Sequence, residues 1–207
     1  MPPVTAARQT NRPRSSGGWR RLALAAVLVL LAPHAPPAQA QGVEVLDLSA
    51  TRDTEMVTLD YQLRLTLPRA VQEAALRGVP IYFRAIATLW KPRWYWRDER
   101  VARVRREWRL AYQPLTSTWR VSQGGLGQSH ATLAEAVATM ANISGWHIAD
   151  AAQVEEDSRH YVEFNWELDT SQLPRPLQIG LTGVGGSDWA LGVERTVRLA
   201  DAAPEGK

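Results

Sequence analysis

The sequence predicts a mainly β domain, most simply an antiparallel β-sandwich with two short helices, and an α+β domain is the alternative. Three observations lead to this prediction. Apolar and polar residues alternate without a miss from position 57 to position 67, as in a strand with one buried face. Comparable alternating segments recur along the chain, separated by Gly and Pro. Only two segments have helical spacing, and both are short.

The first elements of the domain are a pair of strands and a helix. Residues 43–49 alternate as a half-buried strand, and residues 57–67 form the strand with the clearest period of two. A short helix follows, which Pro68 opens and Gly78 closes. A hairpin, described below, comes next along the chain.

The later elements are weaker except for one helix. Residues 119–122 form a short strand that runs into a Gly-rich turn. Thr132 and Glu135 have capping-box spacing, and apolar residues follow at helical intervals, so the second helix begins there. Residues 159–169 alternate again, and residues 192–199 form the last strand. Two prolines between these strands indicate an edge or a loop.

The composition is that of an ordinary globular protein. The chain has 207 residues, of which 45% are hydrophobic and 22% are charged, and it contains no Cys. This profile excludes collagen, a disordered tail, a multi-span membrane protein and a disulfide-rich toxin. The lack of Cys also excludes thiol catalysis and a Cys-ligated zinc site.

Residues 1–40 have the three parts of a secretory signal peptide. Five Arg and no acidic residue precede the apolar stretch 22–32, and a proline-rich break leads to an Ala-Gln-Ala site that ends at residue 40. We therefore expect export, with cleavage after Ala40, and residues 41–207 forming a single globular domain. The alternative is an uncleaved anchor in the inner membrane, although the apolar stretch is short of the roughly 20 residues that span a bilayer.

The net charge of the domain differs from that of the whole chain. The chain has 24 basic and 21 acidic residues, but five basic residues belong to residues 1–40, so residues 41–207 hold 19 against 21, a net charge of −2. Without a basic excess, we expect no nucleic-acid partner. Only two basic residues are Lys, which indicates a GC-rich bacterial genome, and the periplasm is the expected location.

Residues 84–109 depart most from the average composition. They hold nine basic and three acidic residues, a net charge of +6, so the rest of residues 41–207 carries −8. Four of the nine Trp of the chain lie in the same segment. Such a density of Trp and Arg is uncommon on an average surface.

Residues 81–90 and 101–112 predict the strands of a hairpin, with residues 97–100 as its loop and Trp96 opposite Val101. A period of two then sorts the side chains onto two faces. The core face holds Phe83, Ala85, Ala87, Leu89, Val104, Trp108, Leu110 and Tyr112. The opposite, basic aromatic face holds Arg84, Trp90, Trp94, Trp96, Arg103, Arg105 and Arg109.

The predicted register places Trp94 opposite Arg103 and Leu89 opposite Trp108, while Arg106 falls on the core side. Arg beside Trp suits cation–π contacts and the recognition of acidic groups, sugars or lipid headgroups. The alternative is that the tryptophans are buried or stacked on arginine stems, with the arginines forming a solvated face. The candidate partner-binding residues are Trp90, Trp94, Trp96, Arg103, Arg105 and Arg109.

No arrangement of residues predicts catalysis, a cofactor or a metal ion. None of the His beyond residue 40 has metal-ligand spacing. The sequence around Ser129 loosely resembles a nucleophile elbow, but an elbow requires a central parallel sheet. Glu163 and Glu167 share a strand face, and two acids alone do not predict a glycosidase.

Several runs of the sequence resemble one bacterial protein family. They are Gly78-Val79-Pro80-Ile81-Tyr82-Phe83, Pro92-Arg93-Trp94-Tyr95-Trp96, Asp98-Glu99, Trp108-Arg109-Leu110, Arg120-Val121-Ser122, Ala131-Thr132-Leu133, Leu168-Asp169-Thr170-Ser171-Gln172-Leu173-Pro174 and Asp188-Trp189. They are similar to exported proteins grouped as domain of unknown function 4390, over nearly all of residues 41–207. The resemblance implies export and a single domain, and it supplies no reaction, cofactor or catalytic residue. Members are often called proline-rich signal peptide proteins and tend to be encoded near a membrane sensor kinase, which implies an envelope or sensing role.

The expected function is that of a periplasmic, non-enzymatic binding or accessory module. Its Trp/Arg hairpin would meet an envelope protein or an anionic envelope component, and peripheral membrane contact is one form of this. Two alternatives stay open. One is an envelope hydrolase that uses Ser129 or acidic residues, and the other is a purely structural envelope protein.

Overall fold

A computed structural model describes residues 42–155, 159–174 and 189–202. The expected signal peptide, residues 1–40, lies outside the described residues. The elements are β1 (Val43–Arg52), β2 (Met56–Leu65), α1 (Arg69–Leu76), β3 (Ile81–Lys91), β4 (Glu99–Gln113), β5 (Thr118–Gln123), β6 (Leu126–His130), α2 (Leu133–Ala141), β7 (Asn142–Asp150), β8 (Tyr161–Leu168) and β9 (Gly192–Asp201), with 3-10 turns at Ala151–Gln153 and Thr170–Gln172. The prediction of a mainly β protein with two short helices is confirmed.

The strands of the described residues form one sheet in the order β6-β5-β4-β3-β8-β9-β1-β2-β7. Neighbouring strands are antiparallel except β1 and β9, which pair in parallel near their carboxyl ends. β9 therefore joins two halves of the sheet. These halves face each other, because the ring of Tyr61 on β2 lies 4.8 Å from that of Phe164 on β8, although two strands separate them in the sheet. The sheet curls around its core much as the two layers of a sandwich would.

The strand with the clearest alternation shows why the sheet has a buried inner face. Val57, Leu59, Tyr61 and Leu63 of β2 are buried, while the residues between them reach solvent to varying degrees. Trp108 of β4 and other large side chains of the hairpin fill the facing half of the core.

The two helices close the fold at its edges. α1 begins after Pro68 and ends just before Gly78, whose φ of +86° suits glycine. α2 begins as the capping-box spacing predicts, since the Glu135 N–H donates to Thr132 Oγ1 at 3.2 Å. α2 contacts β2, β5, β6 and β7, so it fills the gap between the two edges of the curled sheet. No helix among the described residues is long and apolar enough to cross a membrane.

Sequence analysis does not predict β6 and β7. β6 follows the Gly124-Gly125 turn and is short and largely exposed, so it lacks an apolar alternation. β7 is bulged near Gly145, whose φ of +61° accompanies an irregular register opposite β2. A bulge of this kind breaks the period of two on which the prediction depends.

Candidate functional site

The hairpin of β3 and β4 is present, but its register differs from the predicted one. Leu89 pairs with Ala102 instead of Trp108, a difference of six residues along β4. This even offset holds from Ile81 to Leu89 and leaves the paired side chains there on their predicted faces, because side chains along a strand alternate with a period of two. A bulge between Leu89 and Trp90 shifts the last two pairs by one more residue. The predicted core face is accordingly confirmed, with Phe83 and Leu110 fully buried.

The loop of this hairpin comprises residues 92–98, and we call it the aromatic loop. β3 ends just before Pro92, because proline has no N–H to donate to a strand ladder. The prediction that residues 97–100 form the loop is therefore wrong. Trp94 and Trp96 consequently lie in the aromatic loop and not on a strand face.

Three consecutive aromatic side chains of the loop are exposed to solvent. The exposed fractions are 94% for Trp94, 66% for Tyr95 and 75% for Trp96. The rings of Trp94 and Tyr95 touch edge to face, with their centroids 5.1 Å apart. Contiguous apolar surface of this kind commonly marks an interaction site.

Asp98 ties the aromatic loop to its base and to the neighbouring strand. Its Oδ2 accepts a 2.6 Å hydrogen bond from the hydroxyl of Tyr161 on β8, and its Oδ1 accepts one from the Arg93 N–H at 3.2 Å. The bond from Tyr161 is the main cause of a lowered pKa for Asp98. The same bond raises the pKa of Tyr161 to about 12. The loop thus has a defined shape before any partner arrives.

Some of the charged side chains around the loop have partners among the described residues and others do not. Arg93 forms an ion pair with Glu99, and Asp98 accepts the two hydrogen bonds described above. Within the described ranges, neither Arg97 nor Arg100 has an ion-pair partner. As far as the described residues go, two cations therefore remain available beside the exposed rings.

β4 carries further cations on the outer face of the sheet, where the sequence predicts them. Arg103, Arg105 and Arg109 are exposed there. Arg105 Nε lies 3.5 Å from Glu107 Oε1, a contact that solvent weakens. Arg103 and Arg109 have no ion pair within the part of the chain that the structure describes.

Trp90 and Arg84, on the outer face of β3, are already engaged by residues of β8 and the turn after it. Trp90 Nε1 donates to Glu163 Oε2 at 3.0 Å. Arg84 forms an ion pair with Glu167, and its Nη1 lies 3.6 Å from Asp169 Oδ2. A shallow groove of about 300 Å³ lies among these side chains. Both candidate carboxylates of β8 are thus hydrogen-bonded and are not paired with each other.

Arg106 lies on the inner side of the sheet, as the sequence predicts. Its guanidinium carbon is 5.1 Å from the centroid of the Trp146 ring on β7, a cation–π geometry. The hydroxyl of nearby Tyr61 donates to the Met140 carbonyl oxygen at 3.2 Å. Burial raises the pKa of Tyr61 well above its usual value, and the charge of Arg106 opposes that shift. Arg106 therefore belongs to the interior and not to the outer basic face.

The remaining candidates for chemistry are not brought together. Ser129 and His130 are adjacent on β6, so their side chains point to opposite faces and His130 cannot act as a base for Ser129. His147 Nε2 lies 3.3 Å from Asp150 Oδ1. Among the described residues, no group of three or more His, Asp or Glu is placed to hold a metal ion.

Sequence analysis does not single out several residues that shape the loop. Tyr95 could have been found from the sequence, because it lies between two of the candidate tryptophans. The contact between Asp98 and Tyr161 joins residues 63 positions apart and leaves no local signal. Arg97 and Arg100 look like turn residues in the sequence, and only the longer loop and the earlier start of β4 at Glu99 give them their places.

The model of a family described as Domain of unknown function (DUF4390) matches residues 40–198. This range contains the whole hairpin and the aromatic loop. No curated protein and no solved structure matches the chain.

Proposed function

The chain belongs to the family of domain of unknown function DUF4390, and on that premise we propose that it is an exported, non-enzymatic binding module. The aromatic loop and the outer cations of β4 form its binding surface. Residues 1–40 direct it to the periplasm and are removed after Ala40, and its partner is a component of the cell envelope. Of the candidate residues, Trp94, Trp96, Arg103, Arg105 and Arg109 make the contact, while Trp90 supports it from β3.

The observation that carries this proposal is the exposure of three consecutive aromatic side chains on an ordered loop. Exposed aromatic surface is costly in water and gains most when a partner covers it. The hydrogen bonds of Asp98 order the loop in advance, so less conformational entropy is lost on binding. The cations beside the rings add electrostatic attraction to an acidic partner.

The two alternative functions have less support. A purely structural role accounts for Trp108, Trp146 and Trp166, which are buried in the core, but it gives no reason for the exposure of Trp94 and Trp96. A hydrolase that uses Ser129 would need a base that its neighbour His130 cannot provide from the opposite face.

In-cell photocrosslinking tests the proposed binding surface. A photoreactive residue replaces Trp94 or Arg105 in the full chain, and a matched control replaces Leu115, a fully exposed residue at the other end of β4. We expect adducts with one recurrent envelope component at positions 94 and 105 and none at 115. Equal or absent adducts at all three positions would refute the binding surface.

The proposed export has its own test. The mass and N-terminal sequence of the protein in a periplasmic extract should show a chain that begins at Gln41. If the protein is instead found in the membrane fraction and still carries residues 1–40, these residues are an inner-membrane anchor and not a cleaved signal peptide.

A further inference from the structure

We propose that the aromatic loop inserts into the headgroup region of an anionic lipid bilayer. The inference rests on the proposed function, because it assigns a partner to the same surface. It identifies that partner as a lipid surface and not as a protein. The reasons are the arrangement of the rings, the length of the loop and the charges around it.

The arrangement of the three rings suits a fluid surface better than a pocket. Trp94, Tyr95 and Trp96 are consecutive residues in a turn, and the rings of Trp94 and Tyr95 meet at 72°, so the exposed rings do not lie in one plane. A protein partner would need a preformed pocket that fits this cluster of rings, whereas fluid lipid headgroups can rearrange around it. Trp and Tyr have an apolar ring with a polar group, and they concentrate where headgroups meet acyl chains.

The length of the loop limits it to the interface. The last strand pair below it joins Lys91 with Glu99, and residues 92–98 turn back within that span. A segment of this length projects by about 10 Å at most. This matches the depth at which interfacial segments lie in a bilayer, about 5–10 Å. The backbone of the loop stays in the hydrated region, so its peptide groups keep hydrogen-bonding partners.

The charges of the loop favour an anionic surface. Arg97 and Arg100 flank the rings and have no ion pair within the described residues. Glu99 is paired with Arg93, and Asp98 keeps its negative charge while it accepts hydrogen bonds from Tyr161 and the Arg93 N–H. Residues 92–100 hold three Arg against these two acids, so this segment has a net positive charge. Each cation brought to an anionic bilayer adds roughly fivefold to the affinity.

The strand pairing also sets the orientation of the domain. The turn between β1 and β2 lies at the same end of the sheet as the aromatic loop, and it carries Asp53 and Glu55. These acids would be repelled by an anionic surface. The domain must therefore tilt away from that turn and toward the outer face of β4, which brings Arg103 and Arg105 near the headgroups.

A single fluorescent label can report on the loop, because the chain contains no Cys. Tyr95→Cys in the full chain is labelled with an environment-sensitive dye, and Leu115→Cys provides the matched control. Both proteins are titrated with vesicles of phosphatidylethanolamine and phosphatidylglycerol in equal parts, and with vesicles of phosphatidylcholine alone. A label on the loop is insensitive to any bilayer contact that residues 22–32 make on their own.

We expect the dye at position 95 to shift to the blue and gain intensity with the anionic vesicles only, while the dye at position 115 stays unchanged. Trp94→Ala should reduce the vesicle affinity about tenfold, since a large apolar surface is lost. Arg97→Ala and Arg100→Ala should each reduce it about fivefold, and added salt should abolish that difference.

No shift at position 95, or equal shifts at positions 95 and 115, would overturn the lipid inference. The proposed function would survive that result if photocrosslinking at position 94 still captured one recurrent envelope protein, because the surface would then bind a protein. Absence of both vesicle binding and crosslinks would refute the two together. An equal response to anionic and neutral vesicles would overturn the electrostatic part of the inference.

Discussion

Tyr161 of β8 and Asp98 of the aromatic loop are joined by a 2.6 Å hydrogen bond from the tyrosine hydroxyl to the carboxylate, although 63 residues separate them in the chain. The loop of one hairpin is thereby fixed to the strand that pairs with the other side of β3. The most exposed aromatic side chains of the described residues therefore stand on an ordered support.

Removal of this hydrogen bond should loosen the loop without unfolding the domain. We expect Tyr161→Phe to speed the exchange of the amide hydrogens of residues 93–97 several-fold, because Asp98 then keeps only the bond from the Arg93 N–H. The melting temperature should fall by less than about 4 °C. Hydrogen exchange by mass spectrometry measures the first effect. Tyr82→Phe, on the outer face of β3, is the control, and an equal increase in that variant would show that the bond does not order the loop.

The same bond predicts a distinct alkaline titration. Asp98 accepts a hydrogen bond from the Tyr161 hydroxyl, so the pKa of Tyr161 is raised from 10.0 to about 12 in the folded protein. A group whose pKa is higher in the folded state than in the unfolded state stabilises the fold. Its contribution is present in full at pH values below the unfolded pKa. This contribution is lost as the pH rises from about 10 through about 12.

The difference in tyrosinate absorbance between the native protein and Tyr161→Phe should accordingly have its midpoint near pH 12, as the raised pKa requires. At acidic pH the dependence of stability on pH has the opposite sign, because the pKa of Asp98 is lowered in the folded protein. The contribution of Asp98 is present above its unfolded pKa of about 4 and is lost as the pH falls through the folded value. A midpoint near 10 in the difference titration would mean that Tyr161 does not donate to Asp98 in solution.

Replacement of an exposed tryptophan should affect stability much less than replacement of a buried one. Trp94→Ala and Trp96→Ala should change the free energy of unfolding by less than about 0.5 kcal/mol, since both side chains are exposed. Trp166→Ala should cost about 3–5 kcal/mol, because its ring is fully buried and stacks on Phe83 at 5.2 Å between centroids. Urea unfolding measures all three values.

Iodide quenching checks the same division by a different property. The wild-type protein should have a fraction of Trp fluorescence that iodide quenches readily, and the double variant Trp94→Ala and Trp96→Ala should lose most of it. If the double variant is quenched as readily as the wild type, the two rings are covered in solution and the binding surface lies elsewhere.

The faces of the hairpin could be predicted from the sequence, and its register could not. The alternation that places Phe83 and Leu110 inside is a local property of each strand, and it survives any even shift between them. The register depends on where the loop begins, which Pro92 decides by ending β3. A Trp and Arg alternation that continues past Pro92 imitates a longer strand, and the sequence therefore predicts Trp94 and Trp96 on the outer face.

The support of the loop lies beyond sequence reasoning for a physical reason. The bond between Asp98 and Tyr161 exists only because β8 pairs with β3. Strand order within a sheet is set by the packing of the whole core, and no property of either segment indicates its neighbour. Capping of α2 by Thr132, in contrast, needs only residues within one turn, and the sequence therefore predicts it.

The contact of Arg84 with Asp169 and Glu167 leads to a last prediction, which concerns stability on the outer face. Asp169 is buried, and burial alone would raise the pKa of its carboxyl. Hydrogen bonds from Ser171 and Gln172, together with the charge of Arg84, outweigh that effect and lower the pKa. A lowered folded pKa means that the carboxylate stabilises the fold above its unfolded pKa and that this is lost as the pH falls.

Arg84→Met should therefore destabilise the protein by about 1–2 kcal/mol at pH 7, because it leaves the Asp169 carboxylate without its cation while the hydrogen bonds remain. The difference from the wild type should persist at the unfolded pKa of about 4 and shrink only as the pH falls through the lower folded pKa of Asp169, where the carboxyl becomes neutral. Arg64→Met, which removes the exposed ion pair with Glu44, is the matched control and should cost less than about 0.5 kcal/mol at any pH. Urea unfolding at pH 7 and at a series of pH values from 4 downward provides the comparison, and equal costs for the two variants at pH 7 would show that solvent screens Arg84 as fully as it does Arg64.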